Sequence, residues 1–286
     1  MTRSSGILAS LSLVVLLRLS LAAQSAPAAH FDDTIVISVR QKLAEKPKYH
    51  SVHSAVEDGI VTLTGSVGLY QDKLDVAKDI GRLKNVSGVR NLVAISGPAI
   101  SDAQLESELS RKIYYDRMAY FDCPFNHFTL AVKDGVVILG GQSYNDWGRD
   151  SALAIVRRTA GVKDVISKVQ VSPASIFDDQ LRRQAMRVIY GDSVLSRYAT
   201  DPARPIRIIV DNGHLSLYGT VQNSMEKQTA GMRASSLAGA FSVQNNLAQV
   251  RHNWGDSSDF RPRCSDKCVS LQSRILNGQC SGDQPS

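Results

Sequence analysis

The stretch Asp58-Gly59-Ile60-Val61-Thr62-Leu63-Thr64-Gly65 decides the fold, because the chain uses it three times. It returns as Asp134-Gly135-Val136-Val137-Ile138-Leu139-Gly140-Gly141. It returns again, altered, as Asn212-Gly213-His214-Leu215-Ser216-Leu217-Tyr218-Gly219. The paired glycines (Gly59 and Gly65, Gly135 and Gly141, Gly213 and Gly219) keep one separation throughout. Successive copies lie about 76 and 78 residues apart, the size of a small domain rather than of a solenoid unit. Asp-Gly or Asn-Gly between two alternating runs predicts a β-hairpin, since both central residues of its tight turn need positive φ. The pairs Val61/Leu63, Val137/Leu139 and Leu215/Leu217 predict a strand with one face more buried than the other.

Each copy opens on acidic residues followed by a helical pattern. Asp32 and Asp33 precede Val36, Val39 and Leu43; Asp102 precedes Leu105, Leu109 and Ile113; Asp178 and Asp179 precede Leu181, Ala185 and Val188. Carboxylates at a helix start suit its dipole. A second amphipathic helix follows each closing glycine. Its expected stripes are Leu74, Ala77, Ile80 or Gly81 and Lys84, then Trp147, Ser151, Ala154 and Ile155, then Met225, Thr229 and Met232. A glycine then leads into a last strand at Gly88-Val89, Gly161-Val162 and Gly239-Ala240. The class is therefore α+β: three tandem αββαβ domains, each a small three-stranded mixed sheet covered by two helices. The expected boundaries are 30–97, 101–173 and 175–251, with Pro98 and Pro173 at the joints.

Three copies in register resemble BON domains, the module named from bacterial osmotic-stress and nodulation proteins. The resemblance spans residues 32–250 and rests on the paired glycines and the glycine entry to the last strand. The third copy departs from the pattern at Asn212 and Ala240. The resemblance implies an exported or membrane-associated protein that binds phospholipid surfaces or holds envelope complexes together. It implies no catalytic residues and no cofactor. The matched glycines are conformational requirements and not ligands.

Residues 1–28 read as a secretory signal peptide. Arg3 precedes the apolar run Ile7–Leu17, and small residues follow, with cleavage expected after Ala22 or Ala23. Arg18 cuts the run short of the roughly 20 residues that span a bilayer. No cysteine lies near that site for lipid attachment. Export places the protein in the periplasm or at a membrane surface and permits disulfides. Cys123, Cys264, Cys268 and Cys280 allow three pairings, and sequence does not choose among them. Three of them fall in a tail, 252–286, where a bridge is favoured over zinc because no histidine follows a ligand spacing.

The net charge of +6 is spread along the chain, with the largest domain excess, about +3 by counting, in residues 175–251. No concentrated basic stripe is present and aromatics are only 6%, so nucleic acid is not an expected partner. No nucleophile elbow, HExxH pair or phosphate loop appears, and an enzyme is not expected. His50 and His53, three apart at a strand entrance, are expected on opposite faces and so do not share a metal.

Two places remain as candidate lipid contacts. The insertion 114–125 collects aromatics, among them Tyr120, Phe121 and Phe125, which suit either a membrane boundary or a plug at the helix–strand junction. The first helix of the third copy carries Arg182, Arg183 and Arg187. Asp178–Arg182 and Asp179–Arg183 stand at i,i+4, which would pair two of the three. The function expected is attachment to membrane phospholipid or another envelope component through tandem modules. The other reading is a protein–protein adaptor without lipid contact, using exposed sheet edges.

Overall fold

The computed structural model describes residues 31–121, 123–201 and 205–250. The signal peptide expected over residues 1–28 and the tail cysteines Cys264, Cys268 and Cys280 lie outside these residues. Among the described residues no helix is long and apolar enough to cross a membrane.

Three modules follow one another. The first comprises α1 (Asp32–Ala44), β1 (Val52–Glu57), β2 (Ile60–Val67), α2 (Tyr70–Gly81), β3 (Gly88–Asn91) and β4 (Ala94–Ile95). The second comprises α3 (Asp102–Tyr114), β5 (His127–Lys133), β6 (Val136–Ser143), α4 (Asp146–Arg157) and β7 (Asp164–Val171). The third comprises α5 (Ile176–Tyr190), the short α6 (Ser196–Thr200), β8 (Arg207–Asp211), β9 (His214–Tyr218), β10 (Thr220–Val221), α7 (Ser224–Ser235), β11 (Ser242–Asn245) and β12 (Ala248–Gln249). In every module the hairpin is antiparallel and its second strand is central. The last strand returns parallel to it, giving the orders β1-β2-β3, β5-β6-β7 and β11-β9-β8. The chain separates into two compact units: one holds most of the first module, the other the second and third.

The turns form as the sequence predicts. Asp58, Asp134 and Asn212 have φ of 51°, 53° and 50°, and the following glycines 75°, 79° and 78°. The carboxylate at each helix start, however, does more than face a helix dipole. Asp32 accepts from the backbone N–H groups of Asp58 and Gly59 at 3.0 and 2.9 Å. Asp102 accepts from Asp134 and Gly135 at 2.7 and 2.9 Å, and Asp178 from Asn212 and Gly213 at 3.0 and 2.8 Å. One side chain thus clasps both turn amides and ties helix to hairpin in each module. The closing glycine is required by close approach: a β-carbon at position 141 would lie 2.1 Å from the His127 carbonyl oxygen.

Ile80 is buried as expected, and the other positions of the second helices' expected stripes shift by one residue. Val76 and Ile80, Ala152 and Val156, and Ala230 and Ala234 are the buried, mutually equivalent positions. Trp147, Met225 and Met232 are 72%, 60% and 66% exposed. Small residues let α4 and α7 lie close on their sheets, and that leaves the large apolar side chains outside. Likewise α1 buries Ile35 with Val39, while Val36 is only half-buried.

The last strands differ between modules. Asn91 donates to the Lys73 carbonyl at 2.7 Å and accepts from the Val93 amide at 3.2 Å. Asn245 does the same with Lys227 and Leu247. These bonds interrupt the strand and turn Val93 and Leu247 into the core, each 1% exposed. In the second module Ser167 holds the equivalent place, and β7 runs unbroken for 8 residues.

Candidate functional site

The second and third modules, within one compact unit, share a seam built by the aromatic insertion. Residues Arg117–Phe121 form a π-helical turn after α3. Asp116 holds it, accepting from the amide of Ala119 and the hydroxyl of Ser151. Tyr120, fully buried, joins Leu109, Ile113, Phe128 and Leu139 in the core of the second module, and Phe121 packs against that cluster. Phe125 packs instead against the core of the third module. The Pro124 carbonyl accepts from the amide of Ile208 on β8 at 2.9 Å.

Arg207, at the start of β8, is fully buried in this seam. Its guanidinium lies 3.5 Å from the centre of the Tyr120 ring and donates to the carbonyl oxygens of Tyr120 and Cys123, both at 2.7 Å. A buried cation is tolerable because the ring face and two carbonyl dipoles replace its water. Beside it His127 stacks on Tyr218 at 4.1 Å between ring centres. Burial, reinforced by the Arg207 charge, pushes the His127 imidazole down to about 4, so it is neutral at pH 7. Tyr114, buried in the same region, is pushed up to about 12.

The arginines of α5 divide. Arg182 is buried, but it pairs with Asp179 at 2.6 Å rather than with Asp178, donates to the Val210 carbonyl, and stands over the Tyr144 ring at 5.0 Å. The expected i,i+4 pairings are therefore replaced: Asp178 is taken up by the hairpin turn, and Asp179 by Arg182. Arg183 and Arg187 are exposed. They share the outer face of α5 with Ile176, which is 81% exposed. Phe177 and Phe241 stack at 6.1 Å beside the Asn212-Gly213 turn, and Phe241 is 73% exposed. The sequence reading missed this patch because Phe241 follows Gly239-Ala240, where a buried strand residue was expected.

Cys123 is half-buried in the seam segment, and its partners in the expected bridge lie outside the described residues. In the first module, His50 and His53 do not fall on opposite faces of one strand. β1 begins at Val52, and His50 closes the preceding turn Pro47–Tyr49. Both line one cleft with Arg40 and Ser54. Among the described residues no group of three or more His, Cys, Asp and Glu is placed to hold a metal.

The repeated turn, clasp and glycine bulge agree with comparison to known proteins. The BON domain family matches residues 31–97, 101–173 and 192–251. The chain belongs to the BON domain family. The third BON match opens after α5, although α5 carries the same turn-clasping carboxylate as α1 and α3. An uncharacterized protein in the gshII 5′ region of Anaplasma centrale is 24% identical over 147 residues, covering 51% of this chain and 97% of that one. The outer membrane lipoprotein DolP of Haemophilus influenzae is 28% identical over 153 residues, covering 52% of this chain and 74% of that one. CdsD, a structural protein of the Chlamydia trachomatis type III secretion system, aligns over 76% of this chain and 92% of its own at 16% identity, with a TM-score of 0.22.

Proposed function

We propose that this BON protein is exported to the bacterial envelope, where it attaches without catalysis to anionic phospholipid surfaces. The outer face of the third module is the contact. The observation that carries this reading is the stacked, exposed pair Phe177–Phe241 on the module whose helix α5 also exposes Ile176, Arg183 and Arg187 along its outer face. Apolar side chains enter the headgroup boundary while arginines meet its negative charge. The designation of the Haemophilus relative as an outer membrane lipoprotein supports placement at the envelope. Tandem modules raise the overall avidity of weak single contacts. Tyr120, Phe121 and Phe125, candidate contacts by sequence, serve in this reading as the seam that holds the third module rather than as lipid anchors.

Flotation with vesicles tests it. The mature chain should float with phosphatidylglycerol-rich vesicles at low salt and not with pure phosphatidylcholine. The double variant R183Q/R187Q should bind roughly 30-fold more weakly, at about 1 kcal/mol per basic residue. Phe241→Ser should weaken binding at every salt concentration, because its contribution is not screened. A parent protein that stays unbound, or a double variant that floats equally well, overturns the reading. A stoichiometric complex with an envelope protein in the absence of lipid would establish the adaptor instead.

A further inference from the structure

The third hairpin turn is Asn212-Gly213, where the other two are Asp-Gly. Asn212 is exposed and Gly213 is buried. Asparagine before glycine is a chemically labile pair, because no β-carbon shields the nitrogen that follows the asparagine. In deamidation the Gly213 nitrogen attacks the side-chain carbonyl carbon of Asn212 and forms a new C–N bond. The proton of that nitrogen and the side-chain amide leave together as ammonia, and a five-membered succinimide remains. Water then opens the ring at one carbonyl or the other. One opening gives aspartate with the original peptide bond. The other gives isoaspartate, with the backbone running through the side chain.

The folded turn opposes the first step at each reacting atom. The Gly213 N–H donates to Asp178 Oδ1 at 2.8 Å in a buried bond. Attack requires this nitrogen to give up its proton, and the adjoining carboxylate disfavours the negative charge that results. The backbone N–H of Asn212 donates to the second oxygen of Asp178 at 3.0 Å, and its side-chain amide donates to Asp211 at 2.9 Å. Two rings crowd the glycine: a β-carbon at position 213 would lie 2.7 Å from Phe241 Cδ2 and 3.4 Å from Phe177 Cε1. Of the three clasping carboxylates Asp178 alone is fully buried, and its turn is the one that carries an asparagine.

We propose that Asn212 is a deamidation site held shut by the Asp178 clasp, and that it converts from the opened turn. The two products differ in what they do to the module. Aspartate fits the turn: Asp58 and Asp134 hold the same conformation at φ of 51° and 53°, against 50° for Asn212. Isoaspartate adds one backbone carbon between the two amides that Asp178 bridges, so the clasp cannot re-form and α5 loses this tie to its hairpin. Conversion therefore records how often the clasp has opened, and its isoaspartyl branch keeps it open.

The test incubates the mature full chain in mildly alkaline buffer. Liquid chromatography and mass spectrometry of its proteolytic peptides then separate Asn212 from the aspartyl and isoaspartyl products. A synthetic peptide of residues 208–218, which lacks Asp178, gives the unguarded rate. In the folded chain Asn212 should convert at least about tenfold more slowly than in the peptide, since each decade needs only about 1.4 kcal/mol of opening free energy. Asp178→Ala should raise the rate in the folded chain by roughly tenfold, as expected for the loss of hydrogen bonds to a charged group. Asp192→Asn weakens the ion pair with Arg233 in the same module without touching the turn, and should leave the rate at the parent's value. Conversion as fast in the parent as in the peptide, an unchanged rate in Asp178→Ala, or equal acceleration by Asp192→Asn overturns the proposal.

Discussion

Arg207 stands 3.5 Å from the centre of the Tyr120 ring and donates to that same residue's carbonyl oxygen at 2.7 Å. One side chain of the third module thus grips both the face and the backbone of one residue of the second. The contact is fully buried, which makes it a fastening for the two modules rather than a surface ornament.

Replacing Arg207 with Met should destabilise the unit holding the second and third modules by about 3 kcal/mol, because buried carbonyl oxygens lose this donor. Lysine should restore little, since it lacks the planar fork that reaches two carbonyls over a ring. Urea denaturation monitored by far-ultraviolet circular dichroism checks this.

The His127 imidazole is depressed to about 4 in the fold, against about 6.5 for a free side chain. The unfolded chain therefore binds the extra proton first. Stability conferred by the neutral ring is fully present above pH 6.5 and is lost as the pH falls toward 4, by roughly 3 kcal/mol over that window. Thermal denaturation between pH 7 and pH 4 should show this slope, and His127→Gln should flatten it.

The three turn clasps predict a graded series. Asp178 is buried, whereas Asp32 and Asp102 are half-exposed. Asp178→Ala should cost about 3 kcal/mol and the other two about 1–2, as expected when hydrogen bonds to a charged group are lost at different depths. Denaturant midpoints of the three single variants would rank them.

Gly141→Ala should be severe, above about 3 kcal/mol, since the added carbon meets the His127 carbonyl and φ is 101°. Gly68→Ala should fall within about 0.5 kcal/mol, because nothing lies within 4 Å of its β-carbon position. Paired melting curves of these two variants separate crowding from a general effect of losing glycine.

Turns, strand order and helix order were legible in the sequence because each is set by local chemistry: Asp-Gly at a hairpin, alternation along a strand, apolar spacing along a helix. The faces of α4 and α7 were misread, since Met225 and Trp147 look like core residues until the sheet's demand for close packing selects Ala230 and Ala152. The seam was not legible. An arginine inside a strand reads as exposed unless the carbonyls and ring that receive it are known, and those belong to a loop more than 80 residues away. The clasp was half legible: an acid was expected at each helix start, but Asp178 binds the turn and not Arg182. His50 was misplaced because the strand begins two residues after it.

The asparagine breaks in the last strands bear on how this chain survives crowding. A long, continuous strand border is a template onto which foreign chains polymerise. Asn91 and Asn245 shorten that border in two modules by spending backbone amides on their own side chains. Among the last strands of the described modules β7 alone runs unbroken, and Lys168 sits in its middle as a charged deterrent. A protein built by copying one unit three times invites its copies to stack into fibrils, and these few polar side chains act against that self-templating.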